Sequence, residues 1–331
     1  MIPLLASGGR AGDFASFDVH LWQWGAFVGV VVVLIVADLV LVHREAHVIS
    51  VKEAAIESAV WISIGLAFGL AVWSWHGGQA AGEYYSAFLL EKSLSVDNVF
   101  VWAVIFSYFA VPPQYQFRTL FWGIFGALVL RAIFIFAGVA LIERFEVVLV
   151  VFGLVLLYSA WKIAFHDDQE VHPETNPVLR IVRRFIPSTS EYDGQKLFTI
   201  EQGKRLATPL FAVLIIVETT DVVFAVDSVP AVLGVSHEQF IVFSSNAFAI
   251  LGLRSLYFLL GGMQDRFRYL NIGLGVILAF VGGKMLVGYF FHLHPPTWTS
   301  LVVILAVLAV SVVASELAER REEALAGGPD R

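Results

Sequence analysis

The sequence predicts an all-α polytopic membrane protein of about nine transmembrane helices that carries a 3+3 inverted-topology repeat. Three observations predict it. Apolar runs of spanning length recur along nearly the whole chain, basic residues collect in alternate loops, and an acidic motif recurs in two groups of three runs. Of 331 residues, 58% are hydrophobic and 15% charged, and the mean hydropathy is +0.78. That is more apolar side chain than one soluble core uses.

A helix needs about 20 mostly apolar residues to cross roughly 30 Å of hydrocarbon. Read in order, such runs fall at roughly 21–42, 54–75, 83–110, 117–142, 146–165, 207–233, 238–260, 269–291 and 297–316. Residues 1–20 form an outer N-terminal segment, and 21–82 hold the first two helices. Residues 83–165 form repeat unit 1 and 207–291 repeat unit 2, each of three helices. Between the units, 166–206 is too polar to span and forms a loop on the inner side. Residues 292–316 supply the last helix and 317–331 an inner tail. The start, MIPLLASGGR, lacks the charged and apolar regions of a removable signal, so the first run is the expected insertion signal.

Basic residues set the orientation. One set of alternate loops holds Arg44, Lys52, Arg118, Arg180, Arg183, Arg184, Lys196, Lys204, Arg205, Arg266, Arg268, Arg320, Arg321 and Arg331, and the other only Arg10 and Arg144. The excess marks the cytoplasmic side, which puts the N-terminus outside and the C-terminus inside. Trp22, Trp24, Trp73, Trp75 and Trp298 fall at outer run ends, where aromatic belts sit.

The third to fifth runs align with the sixth to eighth. Glu91 to Phe100 lies over Asp221 to Pro230, an acid six residues before Asp97-Asn98-Val in one copy and Asp227-Ser228-Val in the other. Farther along, Arg131 falls on Arg254, Arg144 on Arg266 and Lys162 on Lys284. A unit of three spans enters its second copy upside down, an architecture that places substrate sites near the midplane.

Composition narrows the chemistry. With no cysteine and three methionines, a bound metal must sit on oxygen or imidazole. The net charge of −7, with no basic stripe, excludes a nucleic-acid surface. Asp38, Glu91, Asp97, Glu218, Asp221 and Asp227 lie at membrane depth, where each costs on the order of 2.5–3.5 kcal/mol. Lys92, Arg131 and Arg254 are candidate salt-bridge partners for some of them. The surplus carboxylates, with Asn98, Ser228 and Asn246, offer oxygen ligands suited to Mg²⁺, Ca²⁺ or Mn²⁺. Residues six apart differ by about 120° around a helix. Either each acidic helix therefore presents two faces, or it is interrupted near Asp97 and Asp227; Pro230, which takes the donor from the Val226 carbonyl, supports interruption.

Weaker signals have plainer readings. His43 and His47 lie at a run end, His292 and His294 precede Pro295 and Pro296 in an outer turn, and His166, Asp167, Asp168, Glu170 and His172 read as solvated loop. Lys162 and Lys284 read as snorkelling or pairing residues.

The segments EKSLSVDNVFVWAVIFSYFAVP (91–112), VETTDVVFAVDSVPAVLGVS (217–236) and SSNAFAILGLRSLYFLL (244–260) resemble the TerC family of membrane proteins, especially its Alx-like branch, over roughly residues 20–318. One departure is Thr220, where the motif is expected to hold Ser. The resemblance implies a nine-span bacterial inner-membrane exporter of Mn²⁺, with residues 1–20 in the periplasm. It places the ion path at Glu91, Asp97, Asn98, Glu218, Asp221, Asp227 and Asn246. No prosthetic group and no enzymatic activity are expected, and the expected partners are the lipid bilayer and the divalent cation, with no nucleic acid. A membrane-assembly or stress-response scaffold of the tellurite-resistance type is the alternative. An intramembrane enzyme is disfavoured, because no Gly-x-Gly-Asp motif, facing Ser/His pair or cofactor fingerprint is present.

Overall fold

In lipid a backbone amide finds no water, so a long apolar run closes its own hydrogen bonds as a helix. The computed structural model describes residues 14–38, 49–165, 184, 186–201, 203–260, 268–293 and 297–326. His43, His47, His294 and the His166–His172 run lie outside the described residues. In chain order the elements are α1 (Leu21–Ala37), α2 (Val51–Tyr108), α3 (Pro113–Arg144), α4 (Val147–Phe165), β1 (Phe198–Glu201), β2 (Lys204–Ala207), α5 (Pro209–Leu233), α6 (Gln239–Leu251), α7 (Leu253–Leu260), α8 (Arg268–Phe291) and α9 (Thr297–Ala326). Among the described residues, five helices are long and apolar enough to cross a membrane, six if α6 and α7 make one bent span; α1 and α4 are shorter apolar helices.

Helix α2 opens on a capping box. The Glu53 amide donates to Ser50 Oγ at 3.2 Å and the Ser50 amide to Glu53 Oε2 at 3.4 Å. The helical stretch breaks at Gly77, whose φ of +83° is open to glycine at little steric cost. Its two arms then fold back on each other. Tyr84 and Tyr85 hydroxyls donate to the Gly65 and Leu66 carbonyls at 2.8 and 3.0 Å, and the Phe88 and Tyr85 rings occupy the space beside Gly65 and Gly69. A second break falls at Gly252, where α6 and α7 bend by 42°. A Cβ on Gly252 would stand 2.8 Å from Lys92 Nζ and Trp61 Cβ, so a glycine is what lets α2 come this close.

Of the two alternatives for the acidic helices, interruption near Asp97 and Asp227 does not occur. α2 is helical through Asp97, and α5 runs unbroken through Asp227 to Leu233 with Pro230 inside it. Pro230 stands in the last turn of α5, so its missing donor costs one hydrogen bond and no downstream helix needs realignment. Each acidic helix therefore presents carboxylates on two faces.

Helix α4 packs along α8, α3 along α5, and α2 against α6, α7 and α9. The contacts run through small residues, as expected where lipid supplies no hydrophobic drive between helices. Gly282 meets the Gly153 carbonyl, Gly273 faces Ser311, and Gly123, Gly126 and Gly138 of α3 face Val217, Glu218 and Leu233 of α5. Large apolar side chains such as Val32, Val33, Leu70, Val223 and Val310 point outward, the distribution a lipid surround requires.

The segment between α4 and α5 contains structure that its polarity did not predict. β1 and β2 pair antiparallel from Phe198 and Ala207 to Glu201 and Lys204. Tyr192 Oη donates to the Phe109 carbonyl at 2.7 Å, which ties this segment to the turn between α2 and α3. Hydrogen bonds from Lys196 and Thr199 hold the Asp193 carboxyl below its ordinary value.

The α4 and α8 contact admits no side chain, since a Cβ on Gly282 would lie 2.8 Å from the Gly153 carbonyl oxygen. Gly282→Val is expected to lower stability by about 1–3 kcal/mol, read from thermal denaturation of the purified chain in detergent.

Candidate functional site

Along α2, Glu91, Ser95, Asn98 and Trp102 are spaced by four, three and four residues, which lines them up on one face. All four are buried. On α5 the same spacing aligns Asp221, Ala225 and Ser228, also buried. Asn246 of α6 is fully buried.

The centre of this polar layer is Arg131 of α3. Its guanidinium forms an ion pair with Glu91, both side chains being sealed from solvent. Asp221 lies within electrostatic reach of the same guanidinium, and Glu218 within reach of Asp221. Glu218 rests its carboxylate on Gly126 of α3, where a Cβ would overlap it. Two helices thus bring carboxylates to one cation, Glu91 as its ion-pair partner and Asp221 within its electrostatic reach, with Glu218 beside Asp221.

On the aligned faces of α2 and α5, and on α6, several buried polar atoms have no hydrogen-bond partner in the protein: Ser95 Oγ, Asp221 Oδ2, Ser228 Oγ and both amide atoms of Asn246. Such an atom costs roughly 1–3 kcal/mol unless something satisfies it. Chemically, the arrangement is a set of hard oxygen donors with a surplus of negative charge.

The other acids stand apart. Asp227 turns to α4, where Ser159 Oγ donates to its Oδ1 at 2.5 Å and Lys162 is the nearest cation acting on it. Asp97 is buried on another side of α2, and no charged group among the described residues acts on it. Asp38 forms an ion pair with Arg254, whose guanidinium also lies 4.1 Å from the Phe117 ring centroid. Among the described residues no three His, Asp or Glu side chains are grouped so as to hold a metal ion.

Salt bridges absorb Glu91 and Asp38, through Arg131 and Arg254. Lys92 plays no such part: its Nζ donates to the Ala249 carbonyl at 3.2 Å, capturing backbone beside the Gly252 bend. Lys284 donates to Ser300 Oγ at 2.9 Å and lies 5.2 Å from the Phe14 ring centroid. His292 lines a cavity of about 440 Å³ with Glu143, His237, Glu238 and Lys284.

Two residues escaped the sequence reading. Glu83, fully buried, accepts from the Ala15 amide at 2.5 Å and from Ser236 Oγ at 2.6 Å, clamping the N-terminal segment to the turn between α5 and α6. It stands at the start of an apolar run, a position that reads as interfacial. Ser95 had a legible signal, because it lies midway between Glu91 and Asn98 on their common face.

Residues 76–323 match the family model described as the integral membrane protein TerC family. A membrane protein of Myxococcus xanthus, STKORF319, is 46% identical over 297 residues, covering 90% of this chain and 92% of its own length. Several relatives carry the name Alx with the provisional description of membrane-bound redox modulator. That of Salmonella typhi is 44% identical over 88% of this chain and 92% of its own. That of Escherichia coli K12 is 42% identical over 92% of this chain and 97% of its own. No solved structure matches the chain.

Removing one member of a buried ion pair strands the other charge and costs about 3–5 kcal/mol. Glu91→Gln is expected to destabilise on that scale, whereas Asp97→Asn, with no cation to strand, leaves the fold at least as stable. Parallel melting curves of the two variants in detergent check the contrast.

Proposed function

We propose, from the premise that this chain belongs to the TerC family of integral membrane proteins, that it exports divalent metal ions from the bacterial cytoplasm, Mn²⁺ first among them. The observation that carries this reading is the surplus of carboxylate on α2 and α5, surrounded by buried oxygen donors that the protein itself leaves unpaired. Hard donors of this kind suit Mn²⁺, Ca²⁺ and Mg²⁺ rather than soft ions.

The nine-span count belongs to the same proposal. It takes the two arms of α2 separately, joins α6 to α7, and adds α1 and α4. In the proposed repeat the second arm of α2 corresponds to α5, α3 to α6 with α7, and α4 to α8. The packing of α4 on α8, and of α3 on α5 as α2 packs on α6 and α7, is the pattern such a two-fold relation requires. The excess of basic residues in alternate loops supports an outer N-terminus, an inner C-terminus and placement in the inner membrane.

In this scheme the ion passes the acids in turn. It loses part of its water to Asp97, Asn98, Glu218 and Asp221, meets Ser228 and Asn246 at the centre, and reaches Asp227 as the two units rock past each other. Protons replace it on the desolvated carboxylates. No residue acts as a catalyst and no prosthetic group takes part. The redox description of the Alx relatives supports a second reading, a membrane scaffold in stress response. Since the chain has no cysteine, its own side chains offer no thiol exchange in that role.

Uptake into inside-out vesicles, scanned over Mn²⁺, Ca²⁺, Mg²⁺, Zn²⁺ and Fe²⁺, decides between the two. Selective Mn²⁺ uptake is expected. Asp97→Asn, Asp221→Asn and Asp227→Asn are each expected to cut it about tenfold or more, the equivalent of roughly 1.4 kcal/mol of ion stabilisation. Well-folded protein that carries no metal overturns the export reading in favour of the scaffold.

A further inference from the structure

We infer that Arg131 is a resident cation, whose guanidinium holds the pocket between Glu91 and Asp221 and which an arriving metal ion must displace. The inference rests on the export reading for its cargo and concerns the regulation of the same site.

The placement of Arg131 is what a structural salt bridge does not need. A guanidinium that only neutralised Glu91 could do so anywhere along that carboxylate, but Arg131 sits between acids of the two helices that the sequence aligns, Glu91 on α2 and Asp221 on α5. Its aligned counterpart, Arg254, is spent elsewhere, on Asp38 of α1 and the Phe117 ring. Among the described residues, Arg131 is therefore the member of the aligned pair that enters the central layer.

That charge is also incompletely engaged. A guanidinium has five donor hydrogens in a planar fork, and buried pairs that stabilise a fold use the remaining donors as well. Here Arg131 Nε is buried without a hydrogen-bond partner, and so is Asp221 Oδ2. Both sides of the clamp retain unspent bonding capacity in a dry layer. With the guanidinium moved away, Glu91 and Asp221 present the two negative charges that a divalent cation balances, and Glu218 stands beside Asp221.

Displacement follows from electrostatics. Two cations in one dry pocket repel strongly at low dielectric, so the metal and the guanidinium exclude each other. An incoming ion pushes Arg131 off the carboxylates; its return drives the ion out and leaves the empty carrier with its acids compensated. Arg131 is thus a positioning residue, and losing it should tighten binding while slowing turnover.

The test measures Mn²⁺ binding to the full-length chain by calorimetry in detergent and Mn²⁺ flux in proteoliposomes. Arg131→Met is expected to bind Mn²⁺ about tenfold more tightly than wild type or better, with a lower maximal flux. Arg131→Met combined with Glu91→Gln, which removes one charge of each sign, is expected to return affinity toward wild type. A folded Arg131→Met with unchanged or weaker Mn²⁺ affinity overturns the inference. If that variant does not fold, Arg131→Lys decides: its compact ammonium shields the two acids less, so several-fold tighter binding supports displacement and equal binding overturns it. Wild type without flux, beside an Arg131 variant with tighter binding, removes the export reading and keeps the displacement. Wild-type flux with no change in affinity on substitution does the reverse.

Discussion

The ion pair between Glu91 and Arg131 is the contact on which the interior of this protein depends. In the hydrocarbon layer a lone charge has no solvent to answer it, and the Glu91 carboxylate of α2 is sealed from solvent against a cation brought to it from another helix. Arg131 supplies that cation from α3, and α5 brings Asp221 within reach of the same guanidinium. Three helices are thereby registered by one side chain. The polar layer is at once a fastening and a place where negative charge exceeds positive.

Close helix contact makes that layer possible. Gly126 lets α5 approach α3 until the Glu218 carboxylate lies on the backbone, and Gly123 and Gly138 hold the same spacing above and below. On the other side, Gly153 and Gly282 let α4 and α8 touch through backbone. Dispersion and close packing, rather than hydrophobic drive, hold helices together in lipid. The glycines thus determine how near the acids come, although none of them bears a charge.

The candidate site was legible in outline and opaque in grouping. The recurrence of an acid before Asp-Asn-Val and Asp-Ser-Val singled out α2 and α5, and the excess of acid over base at membrane depth pointed to more than salt bridges. Which acids meet was not legible. Residues six apart on a helix look in directions about 120° apart, and the structure resolves this by turning Asp227 toward Ser159 on α4 while Asp221 faces Arg131. Lys92 reads as a partner for acids, yet its ammonium reaches a backbone carbonyl beside the Gly252 bend. A nearby backbone acceptor is invisible in a sequence.

The sequence by itself determined the environment of the chain, the apolar runs, and the residues that carry charge into the membrane. These follow from local composition and from the length a helix needs to cross hydrocarbon. Only the tertiary structure decided where helices break and which charges pair. Gly77 and Gly252 are two of 27 glycines, and they become a reversal and a bend because neighbouring helices demand it there. Arg131 and Arg254 occupy aligned positions, yet one enters the centre and the other goes to Asp38. Partner choice depends on the rotation of each helix about its axis, which is set by packing against every other helix at once and by no single stretch of residues.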